Sequence, residues 1–155
     1  MHTARVDFRY PSCWSAATFP QSSLGLISLA YLSNETMHNP CTTHRSGTET
    51  TTHCAWAVST LKPDGVLVSW SLLGMPGLTL RSQRGTNILI GGHHAKFSVT
   101  TGSVCGSLHA AERISVLIAT ATPDNLLMMV ACLGARHVLD ERDLVTTMLA
   151  SVTLH

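Results

Sequence analysis

From about residue 55 onward, short apolar runs alternate with turn residues, the signature of strands joined by tight connections. Val66 to Leu72 is a near-continuous apolar run, entered through the turn sequence Pro63-Asp64-Gly65 and broken off by Gly74-Met75-Pro76-Gly77. Asn87 to Ile90 is a short strand, and Gly91-Gly92 after it supplies the positive φ angles of a hairpin turn. In His94 to Thr100, Ala95, Phe97 and Val99 alternate with Lys96 and Ser98, which predicts one buried and one wet face. Arg113 to Thr120 and Leu126 to Leu133 are two longer strands with Pro123-Asp124-Asn125 turning between them.

The period then changes. Leu144, Val145, Met148, Leu149 and Val152 recur at helical spacing, with Asp140 placed to cap the helix and Asp143 to support its first turn. An amphipathic helix laid on an antiparallel sheet buries the apolar face of each. The expected fold is therefore α+β: an antiparallel sheet of about five strands with a C-terminal amphipathic helix packed on it.

Residues 1–50 lack sustained periodicity, and Thr42 to Thr52 is a polar, threonine-rich stretch. The expectation is an irregular N-terminal segment, a degenerate signal or a linker, followed by one α+β domain over 51–155. A secretory signal needs a basic start, an apolar stretch and a small-residue cleavage site. Here Asp7 interrupts Arg5 and Arg9, and Pro11, Cys13 and Pro20 follow. The best apolar run, Leu24 to Leu32, carries Gly25 and Ser28 and falls well short of the ~20 residues that span a bilayer. No transmembrane segment is expected. Asn34-Glu35-Thr36 matches the glycosylation triplet, a match that is common by chance.

Composition narrows the function classes. The chain has 155 residues, 45% of them hydrophobic, which suits one ordinary folded domain and excludes disorder of the whole. Charged residues are 12%, against roughly 25% in an average domain, and the formal net charge is +1. So balanced a chain has no field with which to gather polyanions, and no nucleic-acid partner is expected. Aromatic residues are 5% and Trp56 and Trp70 fall in the apolar half, which makes them core rather than a platform for stacking bases. No glycine-rich phosphate loop and no paired carboxylates of a glycosidase are present.

The five cysteines carry more information. An odd count allows at most two internal bridges and leaves one thiol over. Cys105 opens one strand unit and Cys132 lies late in the next, so an antiparallel arrangement brings them within bridging reach. Closing that loop of about 27 residues removes unfolded-state entropy worth roughly 3.5 kcal/mol in the simple chain model. Cys54 with Cys41 or Cys13 would make the second bridge. Cys41, His44, His53 and Cys54 could instead form a zinc set, although their spacing fits no familiar finger. His93 and His94, if on a strand, point to opposite faces and cannot share one metal, whereas on the turn itself they could. Gly102-Ser103-Val104-Cys105-Gly106 has the flavour of a nucleophile elbow with the wrong spacing, and His109 and Glu112 follow it.

From Pro63-Asp64-Gly65-Val66-Leu67-Val68-Ser69-Trp70 the chain resembles a group of uncharacterised actinobacterial proteins. The likeness runs on through Gly74-Met75-Pro76-Gly77, Gly91-Gly92 with Ala95, Cys105, Pro123-Asp124-Asn125, Ala131-Cys132-Leu133 and Met148-Leu149-Ala150-Ser151. It covers about residues 54–155 and implies no activity. Hairpins followed by a final helix also look like the PsbP-like α/β layout, and fold alone does not fix function. His93-His94 departs from the pattern, and nothing before residue 50 matches it.

The expected function is binding or scaffolding by a small domain of the cell envelope or exterior, without catalysis and without a cofactor. Its partner would be a protein or a small ligand, met by a sheet face or the loop Gly74, Met75, Pro76 and Gly77. The alternative is a metal-dependent or cysteine-based enzyme using His93 and His94, or Cys105 and His109.

Overall fold

The computed structural model describes residues 6–19, 22–23 and 25–155. In chain order the first strands are β1 (Val6–Asp7), β2 (Ser15–Ala17), β3 (Ser22–Ser23), β4 (Leu26–Ser33), β5 (Cys41–Ser46) and β6 (Glu49–Cys54). After them come β7 (Val66–Gly74), β8 (Thr86–Ile90), β9 (His93–Val104), β10 (Ala110–Ala119) and β11 (Asn125–Leu133). Helix α1 (Val138–Ala150) and the short β12 (Thr153–Leu154) complete the order.

Strand, not helix, dominates: about half of the chain is strand, and the one α-helix among the described residues has 13 residues. The main sheet is antiparallel, with seven strands in the order β2-β4-β7-β11-β10-β9-β8, and β3 also pairs with β4. This corrects the expected α+β class with about five strands. The five strands read from the pattern all lie in this sheet, as β7 to β11, and the helix packs on it. The extra strands come from the stretch expected to be irregular.

Physical reasons for missing them are specific. In β4, Ser28 faces Ser71 and Ala30 faces Trp70, so Leu29 is an extra residue that bulges out of the register. A bulge resets the alternation, and period 2 cannot be read across it. In β5 and β6 both faces are exposed, so there is no alternation to see. Arg5, Pro20 and Leu24 of the signal reading lie outside the described residues.

Both faces of the central strands are covered, which is why β7 and β11 read as nearly continuous apolar runs. Even-numbered residues of β7 (Val66, Val68, Trp70) join Ile114, Val116, Leu127 and Met129 under Val145, Met148 and Leu149 of α1. Odd-numbered Leu67 joins Tyr31, Val130, Cys132 and Leu108 on the opposite face, beneath Ala57 and Val58. The helix begins earlier than expected, with His137 at its N-terminal boundary in the left-handed region and no side-chain cap. Asp140 thus lies inside the first turn, 3.6 Å from the His137 ring, instead of capping it. Leu144 of the expected stripe is 42% exposed, while Glu141 takes a buried position. No helix among the described residues is long and apolar enough to cross a membrane.

Candidate functional site

Two pairs of cysteines meet. Cys41 and Cys54 face each other as the first and last residues of hairpin β5–β6, and their sulfurs are bonded. Cys105 is bonded to Cys132 with their Cα atoms 6.2 Å apart, well inside the range a bridge needs. Cys13 is free and exposed. The 105–132 bridge is buried and ties the turn after β9 to the middle of the sheet.

Hairpin β5–β6 is a two-stranded sheet of its own, paired with no other strand among the described residues. Every residue from 42 to 55 is exposed. Thr43 and Thr52 face each other and share a hydrogen bond of 3.1 Å between their hydroxyls. Alternation along the strands puts Thr43, Arg45, Thr50 and Thr52 on the disulfide's face. His44, opposite Thr51, and His53, opposite Thr42, share the other face. The four residues of the expected zinc set are therefore divided: both sulfurs are in the bridge, and both imidazoles face away from it. Among the described residues no three His, Cys, Asp or Glu side chains gather as a metal cluster would.

At the sheet's β2 edge a wide-mouthed cleft of about 480 Å³ is lined by Ser15, Ala16, Asn34, Glu35, Thr36 and Met37. The side chains of Asn34 and Glu35 in it are already occupied. Asn34 donates from Nδ2 to the Asp64 carbonyl and accepts from the Val66 N–H, each at 2.8 Å. The Glu35 carboxylate accepts from the Lys62 ammonium at 2.8 Å, and that hydrogen bond and charge hold Lys62 above the usual lysine range. These residues clamp the turn that leads into β7, a structural role for Asn34 independent of any glycan.

The remaining expected residues are dispersed. His93 and His94 start β9, opposite Ile90 and Leu89, and alternation sends them to opposite faces of the sheet. Cys105 has no thiolate to offer, because its sulfur is bonded. His109 meets Ser103 instead, its Nδ1 lying 3.1 Å from the hydroxyl. Both Cys105 and His109 have positive φ, at 59° and 50°, and they flank the single 3-10 turn between β9 and β10. The Glu112 carboxylate points elsewhere, into a buried double contact with Arg142 of α1. Ser103 and His109 are thus an exposed pair, and among the described residues no acid is hydrogen-bonded to the ring to orient it as in a nucleophilic triad.

Loop Gly74 to Gly77 is pinned by the turn between β10 and β11. The Met75 N–H donates to the Asp124 carbonyl and the Gly77 N–H to its carboxylate, each at 3.2 Å. Met75 projects from it, 48% exposed. Sequence reasoning missed the Glu35–Lys62 and Glu112–Arg142 pairs and the buried Glu141, since partners about 30 residues apart leave no local signal. Comparison of the chain with protein-family models, with curated proteins and with solved structures finds no match.

Proposed function

We propose that the chain is a binding module without catalysis, working in the cell envelope or outside the cell, and that hairpin β5–β6 is its contact element. The observation that carries this reading is that a fully exposed hairpin is closed covalently at its base. An isolated two-stranded hairpin is marginal in water, because it buries too little to offset the ordering of its backbone. A bridge across its open end restricts the unfolded state and keeps the strands in register. The hairpin adds nothing to either core, so its order serves something outside the fold. Its hydroxyls, two imidazoles and one guanidinium suit a polar protein surface. The pinned Gly74–Gly77 loop offers the smaller surface, with Met75 and Pro76 exposed on it. The two bridges support an oxidising compartment, since cytosolic thiols are ordinarily kept reduced.

Two measurements test it. Alkylation of protein from an exporting host should label Cys13 alone before reduction; labelling of all five cysteines would overturn the oxidising-compartment half. Peptides selected from a displayed library against the immobilised chain should lose binding when residues 42–53 are replaced by a glycine-serine linker. If every selected peptide survives that replacement, the hairpin is not the contact element.

A further inference from the structure

The main sheet ends on one side at β8, whose only strand partner among the described residues is β9. Among the described residues no backbone hydrogen bond satisfies the outer edge of Thr86–Ile90. An open edge is a template for another strand, and proteins usually blunt it with charge, proline, a bulge or extreme shortness. The opposite edge follows that rule, since β2 has three residues and β3 two. The free half of β9 follows it too, being broken by a bulge near Gly102 and Ser103. β8 does not. Its five residues, Thr-Asn-Ile-Leu-Ile, include no charge and no proline, and its pairing with β9 runs without a shift in register.

Apolar surface is left open along the same margin. Leu89 is 66% exposed on the face away from α1. On the helix side, Ile88 and Phe97 pack against the rim of the core and are only partly buried.

We propose that β8 pairs antiparallel with β8 of a second copy of this chain, joining two sheets into one across a two-fold axis. Self-pairing suits this strand for three reasons. With Ile88 at the axis, all five residues pair: Ile88 meets Ile88, Asn87 meets Leu89 and Thr86 meets Ile90. Because the axis stands perpendicular to the sheet, each face continues into the same face, so the helix-side cores meet at Ile88 and cover it. No like charges oppose each other, since the nearest ionisable residues in sequence, Arg84 and His93, fall beyond the paired segment. An isologous contact of this kind closes at two copies and does not propagate. Strand pairing alone makes a small interface, so association is weak, micromolar or above. This inference is independent of the hairpin's role.

The test is the molar mass of the oxidised full chain in sedimentation and light scattering, from low micromolar to millimolar concentration. It should rise from 16.6 kDa towards twice that value; a mass that stays at one chain throughout overturns the proposal. Asn87→Lys with Leu89→Lys sets lysine against lysine twice in the dimer; both sites are exposed, but Asn87 also faces Lys96 within the sheet, so the monomer of this variant melts slightly lower while staying folded. That variant should remain monomeric, as should Asn87→Glu with Leu89→Glu. An equimolar mixture of the two should recover dimers. Persistence of dimers in either variant alone, or failure of the mixture to recover them, places the contact elsewhere and overturns the β8 pairing.

Discussion

Glu141 sits in the first turn of α1, where a carboxylate ordinarily gains from the positive end of the helix. Here the gain is reversed. The residue is 6% exposed and its Oε2 has no hydrogen-bond partner among the described residues. Burial, with Asp64 and Asp140 nearby, pushes its carboxyl up from 4.5 to about 7. A folded-state pKa above the unfolded one means that the native state holds the proton more tightly. That contribution is complete below about pH 4.5 and is lost as pH rises through about 7. Its size is on the order of 1–3 kcal/mol after allowance for solvent screening. Glu141→Gln should therefore flatten denaturation midpoints between about pH 5 and 8 and raise stability at the alkaline end. A midpoint that still falls with pH in that variant would assign the effect to another group. Glu112 is the opposite case, a carboxylate 2% exposed that Arg142 grips through two nitrogens. Arg142→Ala strands that charge and should cost about 3 kcal/mol in chemical denaturation. Replacing both partners by apolar residues should cost much less, because the stranded charge goes with the pair.

At the scale of elements, the two bridges act on different units and should separate experimentally. Cys105→Ser with Cys132→Ser frees a buried loop in the sheet, so the whole transition should move down by roughly 3 kcal/mol. Cys41→Ser with Cys54→Ser should leave that transition nearly in place and open residues 42–53 to proteolysis. Matching losses of global stability in the two variants would mean that the hairpin belongs to the core unit. Legibility follows burial at this same scale. β8 to β11 could be read because their alternation or continuous apolar character records which faces are covered. β5 and β6 could not, because a hairpin wet on both sides carries no periodic mark. β4 was lost to its own bulge at Leu29. The helix register was nearly legible, but an acidic residue in a first turn gives no sign that it will be buried. The pairing of Cys105 with Cys132 is expected from strand positions, but Cys105 sits in the turn between β9 and β10 and reaches Cys132 of β11 from there. The zinc alternative failed for a reason that spacing hides: on paired strands, residues 41 and 54 face one way and 44 and 53 the other.

For the whole molecule, the order β4-β7-β11 has a consequence in time. The central strand β7 finds one neighbour early, in β4, but its other edge stays open until β11 has been made. Loss of everything after residue 124 would leave an apolar strand unpaired in the middle of the sheet. A fragment ending there should aggregate, whereas the full chain refolds from denaturant. Were the chain exported, the same order would suit passage through a narrow pore: a sheet whose centre cannot close until β11 arrives stays threadable up to that point and becomes unthreadable in one late step.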